Sequence, residues 1–131
     1  MAINDVELMK QTLVDLNKRI GEMEQQQGKE AHLFFTTLLF DQLIFHRANG
    51  KVVGKSEPEG FLDSLNKPSP FVSRESKVIS VTLLDNRALV TLIVAGTQAD
   101  GSVGRYRNMR LFSPSGDNWI LELWYNYEIS A

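Results

Sequence analysis

The chain contains no cysteine. That removes a disulfide framework, a thiolate nucleophile and a Cys-based zinc site from consideration. A surplus of positive charge is also missing: 14 Lys and Arg stand against 16 Asp and Glu, a net charge of −2. Nucleic acid and anionic membrane surfaces favour basic partners, so neither is expected to bind. Long apolar runs are absent from the start of the chain. Asp5, Glu7, Lys10, Asp15, Lys18 and Arg19 interrupt it, so no secretory leader or membrane span can be drawn there and a cytoplasmic protein is expected. His32 and His46 with the scattered carboxylates form no metal-ligand spacing, and no Gly-rich loop leads from a strand into a helix. No metal and no cofactor is therefore expected. Without an internal repeat, low-complexity tract or linker, residues 1–131 read as a single domain.

What is present is concentrated in the last third. Val78 to Leu84, Ala88 to Ala95, Arg105 to Phe112 and Trp119 to Ile129 are rich in β-branched and aromatic residues. They are separated by Asp85-Asn86, by Gly96 and the residues after it, and by Ser113-Pro114-Ser115-Gly116-Asp117. This spacing predicts consecutive antiparallel hairpins. On the last strand, strict alternation places Trp119, Leu121, Leu123, Tyr125, Tyr127 and Ile129 on one inward face. The other face carries Ile120, Glu122, Trp124, Asn126 and Glu128, where an outward Trp124 suggests either a homodimer seam or a covering helix.

Earlier in the chain, Val6, Met9, Leu13, Leu16, Ile20 and Met23 form the stripe of an amphipathic helix from Asp5 to about Gln26, capped by Asn4 and Glu7. A second helix is predicted from Lys29 to Leu39. A strand over Gln42 to Arg47 then meets Lys51-Val52-Val53 through a two-residue Asn49-Gly50 turn. Ser56 and Glu59 cap a short helix carrying Phe61, Leu62 and Leu65, which Pro68-Ser69-Pro70 ends. Helices first and most strands later predict an α+β domain with its helices on one face of an antiparallel sheet.

Several strings resemble the nuclear transport factor 2-like superfamily, in particular its SnoaL-like and ketosteroid-isomerase-like members. They are Asp41 to His46 leading into Asn49 to Lys55, then Phe61-Leu62, Arg87 to Thr91, and Asn118 to Leu123. The resemblance implies a cone: a strongly bent sheet around the N-terminal helices, with an apolar pocket between them and pairing through the sheet's outer face into a homodimer. It also implies that His46 occupies the position of that family's catalytic base. An imidazole can serve as a base near neutral pH when its surroundings tune it, whereas a lone strand histidine is commonly a structural one.

On the strand from Arg105, alternation puts Arg105 and Arg107 on one face and Tyr106, Asn108 and Arg110 on the other; the residues leave open which set is inward. Family register favours Arg107 as the pocket cation. The expected pocket is lined by Phe34, Phe45, His46, Arg107 and Tyr125, and suits a small apolar or carboxylate-bearing molecule. A reaction there would be isomerisation or dehydration of an apolar carbonyl compound, with His46 as base and Arg107 or Tyr125 stabilising the oxyanion. The first helix has no tyrosine where ketosteroid isomerases place an oxyanion donor. The alternative is a noncatalytic interaction or dimerisation module that uses the outer face of the sheet.

Overall fold

The computed structural model describes residues 3–129. Helix α1, Ile3–Gln26, buries Leu13, Asn17, Ile20 and Met23, so the apolar stripe is real but carries one amide within it. Asn4 lies within α1 rather than before it, and its side chain, on which the expected Asn4–Glu7 cap depends, lies outside what the structure describes. Gln27 and Gly28 both take left-handed backbone, φ 61° and 84°, and turn the chain into helix α2, Gly28–Leu38. Its inner side is Ala31, Phe35 and Leu38.

Strand β1, Leu39–His46, begins where α2 stops. The last carbonyls of the helix are held by a lysine: Lys55 Nζ donates to the oxygens of Thr36 and Leu39 at 2.9 and 2.8 Å. That tether starts the strand earlier than its apolar pattern does. The turn into β2, Val52–Val53, is also longer than expected. The Arg47 N–H donates to the Lys51 carbonyl at 2.8 Å and the Gly50 N–H to the Arg47 carbonyl at 2.9 Å, closing a three-residue loop with Gly50 at φ 89°. Helix α3 is only Phe61–Ser64. The Ser56–Glu59 cap does not form; Glu57 instead accepts from the Gly54 N–H, and the helix enters from Gly60.

Four long strands complete the chain: β3, Ser73–Leu84; β4, Arg87–Thr97; β5, Val103–Ser115; and β6, Asn118–Glu128. The sheet order is β2-β1-β6-β5-β4-β3. All pairs are antiparallel except β1 with β6, so the sheet is mixed rather than wholly antiparallel. It curves around the helices without closing. The core lies between Leu13, Ile20, Met23 and Phe35 on the helices and Val90, Leu92, Phe112, Leu121 and Trp124 on the sheet.

One irregularity decides the orientation of the last strand. Phe112 pairs with Leu121 but Leu111 pairs with Leu123, so Glu122 is an extra residue on β6. A bulge of this kind reverses the parity of everything beyond it. Leu121 and Trp124 are therefore both inside, 0% and 1% exposed, while Leu123, Tyr125 and Tyr127 face outward at 40%, 37% and 36%. The inward face expected from strict alternation is thus split, and Trp124 forms no outer seam.

Candidate functional site

The inner faces of β4, β5 and β6 are in register. Val90, Arg110 and Trp124 form one row across them, and Leu92, Asn108 and Asn126 the next. Because Val90 and Leu92 are fully buried, Arg110 and Asn108 are carried inward with them, 0% and 2% exposed. Arg107, between Ile93 and Tyr127, is carried outward. The open parity of β5 is resolved against the expected pocket cation.

Arg110 is a buried charge with a built surround. Its Nη1 donates to Asn17 Oδ1 at 3.0 Å, its Nη2 lies 3.5 Å from Glu24 Oε1, and its guanidinium sits 4.4 Å from the centre of the Trp124 ring. Trp124 Nε1 in turn donates to Asn108 Oδ1 at 2.7 Å, and Asn17 donates back to the Leu13 carbonyl at 2.7 Å. Burial pushes the Arg110 pKa down to about 10; the charge of Glu24 opposes this and Arg74 adds to it. It remains a cation at neutral pH. Paired and stacked in this way, the guanidinium is tolerated where an isolated charge would not be.

Above this layer the cone opens into a pocket of about 370 Å³ at the β1–β2 loop end of the sheet. Phe45, Phe61, Phe71 and Val94 supply apolar walls, and Arg47, Arg74, Glu24, Tyr106 and Asn126 supply polar groups. Arg74 stacks over Phe71 at 5.3 Å and Arg47 over Phe45 at 4.9 Å. Among the described residues, Nη1 of Arg74, Nε of Arg110, Oδ1 of Asn126 and Oε1 of Gln27 are buried without a hydrogen-bond partner. Arg74, Asn126 and Gln27 line the pocket and Arg110 lies beneath it; buried polar groups are normally satisfied, so the three lining orphans mark a place for something polar. Burial lowers the pKa of Arg47 against the opposing pull of Glu24; burial, then the charge of Glu128, raises that of Tyr106.

Of the five expected pocket residues, only Phe45 lines this pocket, where it stacks on Trp124 at 4.3 Å. His46 is the next residue along β1 and so points to the opposite side. It stacks on outward-facing Tyr125 at 4.4 Å and 15°, with Nδ1 buried and unpaired. Phe34 belongs to a different groove of about 460 Å³ at the far end of the sheet, with Leu16 and Trp119. Arg107 and Tyr125 are on the outer face. Sequence reasoning missed Glu24, Arg47 and Arg74. For Glu24 a signal was available: with Asn17 it interrupts the same helical side as Leu13 and Ile20, at spacings of four, three and four.

No family model matches the chain and no curated protein matches it. Solved structures do. An NTF2-like protein from Cytophaga hutchinsonii aligns with a TM-score of 0.65 at 18% identity, over 98% of this chain and 100% of the other. The CaMKII hub of S. rosetta aligns at 0.70 and 15%, over 91% and 95%. A protein with a cystatin-like fold from Caulobacter vibrioides aligns at 0.65 and 12%, over 90% and 87%. Helices followed by a curved, unclosed six-stranded sheet, superimposable on these proteins over nearly its whole length, give this chain the nuclear transport factor 2-like fold.

Proposed function

We propose that the cone is a binding site for a small carboxylate with an apolar body, held at the mouth pocket by Arg74, with the buried charge of Arg110 beneath it. The observation that carries this reading is the buried Nη1 of Arg74, left without a hydrogen-bond partner beside apolar walls. Arginine suits the task because its planar fork matches a carboxylate, and burial strengthens the contact by excluding water. No general base is assigned. His46, which family resemblance would give that role, lies across the sheet from the pocket.

The test is calorimetric titration with 3-phenylpropionate and its neutral amide. The acid should bind at least about tenfold more tightly than the amide, a preference matching loss of one charge-assisted hydrogen bond. Arg74→Gln should remove the preference. Equal binding of acid and amide, or no binding of either, would overturn the reading.

A second reading concerns the outer face. Ile44, Leu123, Tyr125 and Tyr127 are exposed there, with Met109 beside Tyr125 and Leu111 beside Leu123 on the neighbouring strand. We infer that this apolar band pairs with a second copy of the chain, since contiguous apolar patches on a sheet mark contact surfaces. The Association Domain of C. elegans CaMKII, similar to this chain at a TM-score of 0.69 and 12% identity, is a neighbour named for association. Sedimentation should give a dimer that Leu123→Glu dissociates; a wild-type monomer at all concentrations contradicts it.

A further inference from the structure

Resting on the carboxylate reading of the mouth pocket, we propose that the natural ligand carries two separated negative groups joined by an apolar middle. The charges around the pocket do not balance. Arg47, Arg74 and Lys67 line the pocket and Arg110 lies beneath it, while Glu24 is the one carboxylate among the lining residues. Glu24 is already engaged, because its Oε1 is 3.5 Å from Arg110 Nη2. No ion pair holds Arg47, Arg74 or Lys67 among the described residues. A single carboxylate at Arg74 leaves Arg47 and Lys67 uncompensated on the other side.

The cations are also placed apart. Arg47 follows β1, and Arg74 is on β3 at the sheet's edge, with β6, β5 and β4 between them. Four strand spacings amount to roughly 19 Å on a flat sheet, a distance the curvature and two long side chains shorten across the pocket. One compact anion does not engage both guanidinium groups. Between them Phe45, Phe61, Leu65 and Val94 give surfaces that favour methylene or aryl carbon, beside the polar Tyr106 and Asn126. Each guanidinium carbon lies over an aromatic ring, Arg47 over Phe45 and Arg74 over Phe71, a contact that does not consume the N–H donors a carboxylate needs.

The experiment is titration of the intact chain with suberate and with octanoate at fixed ionic strength, followed by adipate and sebacate to find the best span. Suberate should bind about tenfold or more tightly than octanoate, as expected for a second guanidinium–carboxylate contact on one molecule. In Arg47→Gln the two should fall within about twofold of each other, and Arg47→Lys should restore part of the preference. Circular dichroism of both variants checks that each is folded. If octanoate binds wild type as well as suberate does, the two-charge inference is overturned and the carboxylate pocket stands. If neither binds, the carboxylate reading falls with it.

Discussion

Gly96 on β4 and Gly104 on β5 stand opposite one another, and each is covered by an aromatic side chain of the pocket. A Cβ on Gly96 would meet the Phe71 ring at 2.6 Å, and one on Gly104 would meet the Tyr106 hydroxyl at 2.7 Å. The two rings touch at a tilt, 5.9 Å and 48°. Phe71 has little freedom to retreat, because Gln25 Nε2 donates to its carbonyl at 2.7 Å. Gly96→Ala should therefore cost about 1–3 kcal/mol in urea denaturation, the usual range for overpacking, and weaken carboxylate binding. Gly104→Ala should cost less, since the nearest atom there is the free end of a tyrosine.

Lys55 sets a contrast between carbonyl and carboxylate partners. Its Nζ is buried against the Thr36 and Leu39 oxygens, while Asp41, 3.2 Å away, has a side chain that is 84% exposed. Lys55→Met leaves the end of α2 without donors and should cost about 2–4 kcal/mol. Asp41→Asn should change stability by less than about 1 kcal/mol, because the ion pair is screened by water. Both values follow from equilibrium denaturation. A larger effect at Asp41 than at Lys55 would show that the ion pair, and not the helix end, is what the lysine serves.

The buried arginine gives a double-mutant prediction. Asn17→Leu strips an acceptor from a desolvated cation and should destabilise by about 1–3 kcal/mol. Adding Arg110→Met removes the charge that needed the acceptor, and the double variant should recover much of that loss. Carboxylate affinity should fall in both. A double variant less stable than either single one would mean that Arg110 stabilises the core outright.

Acid sensitivity should appear at the bulge. Glu122 accepts from Arg87 Nε at 2.8 Å, and this hydrogen bond, aided by Ser113 and opposed by burial, holds its carboxyl below the ordinary 4.5. A depressed carboxyl pKa contributes stability above the unfolded value and loses it as pH falls through the folded one. Arg87→Gln should thus be less stable than wild type at neutral pH. The gap should close on acidification below 4.5, as followed by thermal unfolding across pH.

His46 provides the check on the pocket's location. Since it lies on the outer face against Tyr125, His46→Ala should leave carboxylate affinity within about twofold of wild type, as separated sites act independently. A loss comparable to that of Arg74→Gln would place the imidazole in the site after all.

Much of the architecture is legible from pattern. The helical stripe through Leu13 and Ile20, the hairpin at Asp85-Asn86 and the sheet-forming runs are local features, and local periodicity reports them. The bulge at Glu122 is not. The run Ile120-Leu121-Glu122-Leu123-Trp124 carries apolar residues at both parities, and only pairing with β5 shows that one residue is skipped. Trp124 and Tyr125 exchange sides as a result. Arg107 and Arg110 were similarly undecided because both parities of β5 offer a cation. The pocket's other charges come from four separate segments: Glu24 on a helix, Arg47 at a loop, Lys67 before the prolines and Arg74 at a sheet edge. Each alone reads as an ordinary surface residue, and only the curvature of the sheet brings them together.

The parallel pairing of β1 with β6 also bears on how the molecule is made. During synthesis, α1, α2 and the β1–β2 hairpin emerge long before their neighbour in the sheet exists. The meander β3–β5 can assemble by local contacts, but Phe45 has no Trp124 to stack upon until β6 leaves the ribosome. Folding of the cone is therefore a late event, with a long-range contact as its closing step. Until then the side of Phe45 that Trp124 covers in the finished sheet has no partner, and apolar surface of the first half stays exposed on the nascent chain.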